Sequence, residues 1–275
     1  MHDSPTLHVA AVQMVSQLSV EHNLQRAKEL VAQAASDGAK MVVLPENFAC
    51  FANREALLMA KNELTKPILV PALAAMASSN QVFLCGGTLP LVANNTETRA
   101  SAASLMFAPN GSVVARYNKI HLFDAKVGDR LGCYRESDTF APGNELTVAE
   151  VEGFGMGMSV CYDLRFSRLY QQLRASGSDV FLVPSAFTAA TGKKHWEVLL
   201  RARAIEQQCY VIAANQGGLH DSDRETFGHS MIIDPDGEVI SRIERGEGVI
   251  HAVLERDRIT SIRTAMPCFE HQRCD

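Results

Sequence analysis

No stretch of this 275-residue chain stays apolar for the ~18–20 residues that a membrane-crossing helix needs. The opening Met1-His2-Asp3-Ser4-Pro5-Thr6 also lacks a basic segment leading into an apolar one. Membrane insertion and secretion are therefore not expected, and the protein should be cytoplasmic. Basic charge is scarce as well: 26 Lys and Arg stand against 31 Asp and Glu, a net charge of −5, and no basic run is interleaved with aromatics. That excludes nucleic acid as an expected partner and leaves a small molecule. C-x-x-C pairs, H-E-x-x-H and close His/Cys groupings are missing, so no metal site is expected. Gly153-Phe154-Gly155-Met156-Gly157 lacks the spacing and the following helix of a dinucleotide fingerprint, and no organic cofactor is expected. The seven cysteines, at 50, 85, 133, 161, 209, 268 and 274, are odd in number and unclustered. This fits a reducing compartment in which most of them, Cys50 and Cys85 included, are small buried hydrophobes.

What is present suits a folded core, with 47% hydrophobic and 21% charged residues. Residues 7–14 alternate as a strand, and Leu24, Ala27, Leu30, Val31 and Ala34 then recur at helical spacing within 20–39. A short β-branched run at 40–45 is followed by Ala/Leu/Met-rich helices over 53–63 and 66–79. Strands are expected at 81–86, 101–108 and 112–118, the last two joined by the turn Pro109-Asn110-Gly111. In the second half strands are expected at 146–151, 155–160, 180–183, 210–214 and 228–233. Asp234-Pro235-Asp236-Gly237 then turns the chain into a hairpin. A strand at 248–254 closes the series, with helices at 168–176, 194–208 and 256–263. No linker or low-complexity tract interrupts the chain, which reads as one domain over 1–275, α/β with a mixed sheet, its two halves able to pack sheet on sheet with helices outside. Residues 123–144 form the longest aperiodic stretch, and loops of that length tend to be functional.

Three apolar runs end on reactive groups. Met41-Val42-Val43-Leu44-Pro45 delivers Glu46, Ser112-Val113-Val114-Ala115-Arg116-Tyr117-Asn118 delivers Lys119, and Gly157-Met158-Ser159-Val160 delivers Cys161, after which a helix-forming stretch begins. Strands also end in polar loops for no chemical reason. A sharp strand-to-helix turn, however, lifts a nucleophile out of a sheet and aims the next backbone N–H groups at the same point. A thiol attacks as thiolate, so either Lys119 lowers its pKa or Glu46 takes its proton. His121, two residues past Lys119, would face the opposite way if the strand continued. Trp196, Leu199 and Leu200 fit a core or a subunit interface.

Pro45-Glu46-Asn47, Tyr117-Asn118-Lys119-Ile120-His121-Leu122-Phe123-Asp124 and Cys161-Tyr162-Asp163-Leu164-Arg165-Phe166 together resemble the three signature segments of the nitrilase superfamily of carbon–nitrogen hydrolases. The resemblance implies a four-layer αββα sandwich, a homodimer, Glu46 as general base, Lys119 as stabiliser of the tetrahedral intermediate and Cys161 as nucleophile. It implies the backbone N–H of Tyr162 as an oxyanion donor and Glu136 as a further carboxylate orienting the lysine. Pro184-Ser185-Ala186-Phe187 and His195-Trp196-Glu197 resemble the branch of small amidases acting on ω-amides of keto acids. The implied reaction is hydrolysis of deaminated glutathione to 2-oxoglutarate and cysteinylglycine through a cysteinyl thioester. Such a substrate carries carboxylates, for which Arg165, Lys193 and Lys194 are candidates. The alternative is 2-oxoglutaramate with release of ammonia; from other classes, a non-catalytic binding protein or a redox-sensing thiol protein.

Overall fold

The computed structural model describes residues 4–51, 55–129, 132–221 and 223–273. Cys274, Met1 to Asp3 and the expected helix start at Asn53 lie outside them. The first half runs β1 (Thr6–Gln13), α1 (Val20–Ser36), β2 (Met41–Val43), α2 (Ala56–Thr65), α3 (Leu69–Asn80), β3 (Phe83–Cys85), β4 (Leu89–Leu91), β5 (Ser101–Phe107), β6 (Val113–Asn118), β7 (Asp124–Lys126) and β8 (Cys133–Arg135). The second half runs β9 (Val148–Val151), β10 (Phe154–Met158), α4 (Ser167–Ala175), β11 (Val180–Leu182), α5 (Ala189–Gln207), β12 (Tyr210–Ala213), β13 (Ser230–Ile233), β14 (Val239–Ile243), β15 (Gly248–Glu255) and α6 (Arg256–Ala265).

The strands form two large sheets. One is ordered β15-β1-β2-β3-β5-β4 with β6 on the free side of β5, the other β14-β13-β12-β11-β10-β9. In each, three parallel strands form the middle, β1-β2-β3 and β10-β11-β12, flanked by antiparallel ones. Alternation along β1 shows how the layers assemble. Val9 and Ala11 belong to the core shared with the second sheet, whereas Ala10 and Val12 pack with Ala27, Leu30, Val31 and Ala34 of α1. Burying each such Leu or Val contributes roughly 1.5–3 kcal/mol. Across the second sheet Trp196, Leu200 and Ala204 of α5 and Leu169, Tyr170 and Leu173 of α4 cover the outer face, and the result is an αββα sandwich.

Local chemistry sets the element ends. Ser19 caps α1 by accepting from the His22 N–H, and Gly38, at φ 100°, closes the helix where a side chain would be strained. The Pro109-Asn110-Gly111 turn joins β5 to β6 as the sequence suggests. Three expectations are corrected. The chain does not pass straight from Cys161 into a helix: a 3-10 turn, Cys161–Arg165, comes first. α5 begins at Ala189, not 194, because Thr188 caps it and Gly192 sits inside it, where a Cβ would overlap Phe227. β4 and the β7–β8 pair were not anticipated; each strand has three residues, too few for a period to show.

Candidate active site

Strands of both sheets deliver their C-terminal ends to one place. Glu46 follows β2, Lys119 follows β6, Cys161 follows β10 and Ala186 follows β11. The Pro45-Glu46 turn rests on Gly87, at φ 60°, where any Cβ would overlap the Pro45 carbonyl oxygen. The Asn47 N–H donates to Thr88 Oγ1 at 2.9 Å, and Gln216 Nε2 donates to the Glu46 carbonyl at 3.0 Å. Cys161 adopts φ 46°, a left-handed conformation that a non-glycine residue takes only when its surroundings enforce it. Here the Cys161 N–H is fixed to the Pro184 carbonyl at 2.9 Å, and Asp163 Oδ2 accepts the Val160 N–H at 2.9 Å.

Lys119 Nζ lies 2.7 Å from Glu46 Oε1 and 2.9 Å from each oxygen of Glu136. Lys119 is 2% exposed and Glu46 5% exposed. Burial works against the ammonium, but Glu136 and Glu46 outweigh it and hold its pKa well above the ordinary lysine value. Burial raises the Glu136 pKa, with Lys119 opposing and Glu46 adding to the rise. Phe123 N–H donates to Glu136 Oε2 at 2.6 Å, which ties this carboxylate to the start of the β7–β8 excursion. Three carboxylate oxygens therefore meet the three N–H bonds of Lys119. To donate to a new oxyanion the ammonium must loosen one contact; otherwise it acts through its charge.

The second oxygen of Glu46 accepts the Ala186 N–H at 2.8 Å. The Cys161 thiol shares this cavity, and its pKa is pushed up, first by burial and then by the negative charge of Glu46. The resting sulfur is therefore a protonated thiol, and of the two readings open from sequence, a base that removes the proton during attack fits the site.

These groups open onto a cavity of about 510 Å³ lined also by Tyr134, Tyr162, Arg165, Phe187 and Arg224. Arg165 lies over the Phe187 ring at 5.2 Å, with Nη1 3.3 Å from His195 Nδ1. Lys193 does not line this cavity but a neighbouring depression, and Lys194 is exposed on α5. His121 is not on a continuing strand, since β6 ends at Asn118; its N–H and Nδ1 both meet Asp163 Oδ1, at 3.0 and 2.7 Å. Trp196 and Leu200 are buried, Trp196 donating to the His229 carbonyl at 2.7 Å.

Sequence reasoning gave no role to Ala186, Asp163 or Arg224. The first acts through its backbone, which residue identity does not reveal. Asp163 belongs to the Cys161–Phe166 segment, and its four converging bonds become visible only in three dimensions. Arg224 sits in a stretch without periodic pattern and reaches the cavity through tertiary folding alone.

Comparison with known proteins places this arrangement. The sequence model of the carbon-nitrogen hydrolase family matches residues 8–264. The deaminated glutathione amidase of Yersinia enterocolitica is 39% identical over 266 residues, 97% of this chain and 93% of that one. The protein of the same name from Synechocystis sp. (strain PCC 6803 / GT-S) is 42% identical over 96% of this chain and 97% of its own. Among solved structures the C. elegans NitFhit protein superposes with a TM-score of 0.90 at 32% identity; the match covers 98% of this chain and 66% of that longer one.

Proposed function

Because the chain belongs to the carbon-nitrogen hydrolase family and is an amidase, we propose that it hydrolyses the ω-amide of deaminated glutathione, giving 2-oxoglutarate and cysteinylglycine. The observation that carries this reading is the meeting of Glu46, Lys119 and Cys161 in one cavity, in a chain so similar to two proteins named for that activity.

In the proposed sequence Glu46 takes the thiol proton as sulfur attacks the amide carbon. The negative oxygen of the tetrahedral intermediate faces Lys119 and the Tyr162 N–H; removing one such donor typically costs ~10²–10³ in rate. Glu46 then gives the proton to the departing nitrogen, the C–N bond breaks, and an acyl thioester remains on Cys161. Water, losing its proton to Glu46, attacks the thioester; the C–S bond breaks and the thiol is restored. Glu136 holds Lys119 in place throughout, and Arg165 receives the keto-acid carboxylate. A buried thiol that stays protonated is poorly suited to peroxide sensing, which depends on an exposed thiolate.

We also read the protein as a homodimer of a reducing compartment such as the cytoplasm. Val198 is 67% exposed and Ile205 49% exposed on α5, apolar surface that a second copy would cover. Cys85, Cys133, Cys161, Cys209 and Cys268 are free thiols. No helix among the described residues is long and apolar enough to cross a membrane.

The test is a product assay combined with acid-quenched peptide mapping. Equal amounts of 2-oxoglutarate and cysteinylglycine, with a transient acyl mass on Cys161, support the reading. An adduct confined to another cysteine removes the assigned nucleophile, and ammonia release from 2-oxoglutaramate without cleavage of deaminated glutathione assigns the shorter substrate.

A further inference from the structure

A second basin adjoins the catalytic cavity. Its volume is about 1360 Å³, against about 510 Å³ for the cavity, and Tyr134 and Arg224 line both. Lys193 and Arg245 add positive charge to its wall. Three acids share that wall and all are engaged: Asp129 accepts the Tyr134 hydroxyl at 2.6 Å, Glu225 pairs with Arg245 at 3.5 Å, and Asp223 also has a partner.

Arg224 is held at the junction. Its guanidinium carbon lies 4.7 Å from the Phe51 ring centroid and 5.1 Å from that of Tyr134, so two aromatic rings clamp it. Nη2 donates to the Ala186 carbonyl at 3.1 Å. Its Nε–H is buried and meets no acceptor among the described residues. A guanidinium clamped in this way at the wall of a roomy basin is equipped to take a planar anion with little loss of side-chain freedom.

Resting on the amidase reading above, we propose that this basin is the leaving-group subsite and that Arg224 sets substrate choice by binding the terminal carboxylate of a peptidyl leaving group. An amide that releases ammonia needs no space beyond its nitrogen. A dipeptide leaving group needs about 7 Å more and ends in a carboxylate. The acyl half of the two substrates is the same, so a cation that touches only the leaving half separates them. Where the binding energy of a remote contact is spent on orienting the scissile amide, its loss lowers kcat as well as binding.

The experiment compares kcat/KM for deaminated glutathione, for its analogue with the glycine carboxylate converted to carboxamide, and for 2-oxoglutaramate, using the wild-type protein, Arg224→Gln and Arg224→Lys. The ratio of deaminated glutathione to 2-oxoglutaramate should fall about 10- to 100-fold in Arg224→Gln, and less in Arg224→Lys. On the wild type the carboxamide analogue should lose a similar factor, and Arg224→Gln should reduce its rate no further. An unchanged ratio, a proportional loss on both natural substrates, or a carboxamide analogue cleaved at the full rate overturns the proposal. The wild-type comparison decides even if Arg224→Gln fails to fold. A wild-type protein that cleaves 2-oxoglutaramate but not deaminated glutathione overturns the functional reading and this inference together; a failure confined to Arg224 leaves the functional reading standing.

Discussion

Tyr117, near the end of β6 in one sheet, donates its hydroxyl to Asp163 Oδ2 in the turn after β10 of the other, at 2.7 Å, with both side chains buried. The same carboxylate accepts from the Val160 and His121 N–H groups. One acid thus fixes the cysteine turn against the strand that carries Lys119.

Replacing Asp163 with Asn puts an amide NH₂ where donors already point, leaving at least one buried N–H or O–H unmatched. The variant should lose roughly 2–4 kcal/mol of stability and a larger share of kcat than of KM, because the thiol is misaligned while the cavity remains. Denaturant titration and steady-state kinetics on the purified variant check both; wild-type kcat in Asp163→Asn would show that the turn holds itself.

Cys161→Ala should reduce turnover by roughly 10⁴-fold or more with little change in stability. Cys161 is 9% exposed and lines an existing cavity, so removing its sulfur enlarges a space without exposing a core. Comparing activity and melting temperature separates this from a folding defect.

Lys119→Met leaves Glu46 and Glu136 facing each other with no cation between them. Removing one partner of a buried ionic group costs about 3–5 kcal/mol. Adding Glu136→Gln removes one of the two charges and should restore part of that stability without restoring activity. Equal stabilities for the single and double variants would show that the carboxylates do not repel across the gap.

His220 supplies a pH dependence. It is buried, its Nδ1–H donates to the Ser16 carbonyl at 2.7 Å, and its Nε2 meets Thr226 Oγ1 at 2.8 Å. Burial lowers its pKa to about 4. The unfolded chain takes up this proton near pH 6.5, whereas the folded chain does so only near 4, so folding is favoured above 6.5 and the advantage is lost as pH falls through that window. The loss amounts to roughly 3 kcal/mol. Melting temperatures from pH 7 to 4 should decline, and less steeply in His220→Gln.

Much of the architecture was legible because its strands are apolar runs bounded by turns. Glu46, Lys119 and Cys161 stood out as reactive groups at the ends of such runs, and the structure brings them together. The two lysines part company: a glycine in the first turns of α5 hides where the helix begins, and Lys193 falls in the neighbouring basin while Lys194 is exposed outside the catalytic cavity. The excursion that presents Glu136 has three-residue strands whose sequences, Asp-Ala-Lys and Cys-Tyr-Arg, carry no alternation to read. Glu136 was found by resemblance, and its bond to the Phe123 N–H is a fact of tertiary folding.

Gly87 has a bearing on how mutational scans of this protein are interpreted. It lies beneath the loop that presents Glu46, at a backbone angle and in a space that admit no side chain. Every replacement there should silence the enzyme as thoroughly as losing the nucleophile, although position 87 carries no functional group. A map of intolerance alone would mark it as chemistry, and only a rate measured beside a fold reporter would reveal a spacer.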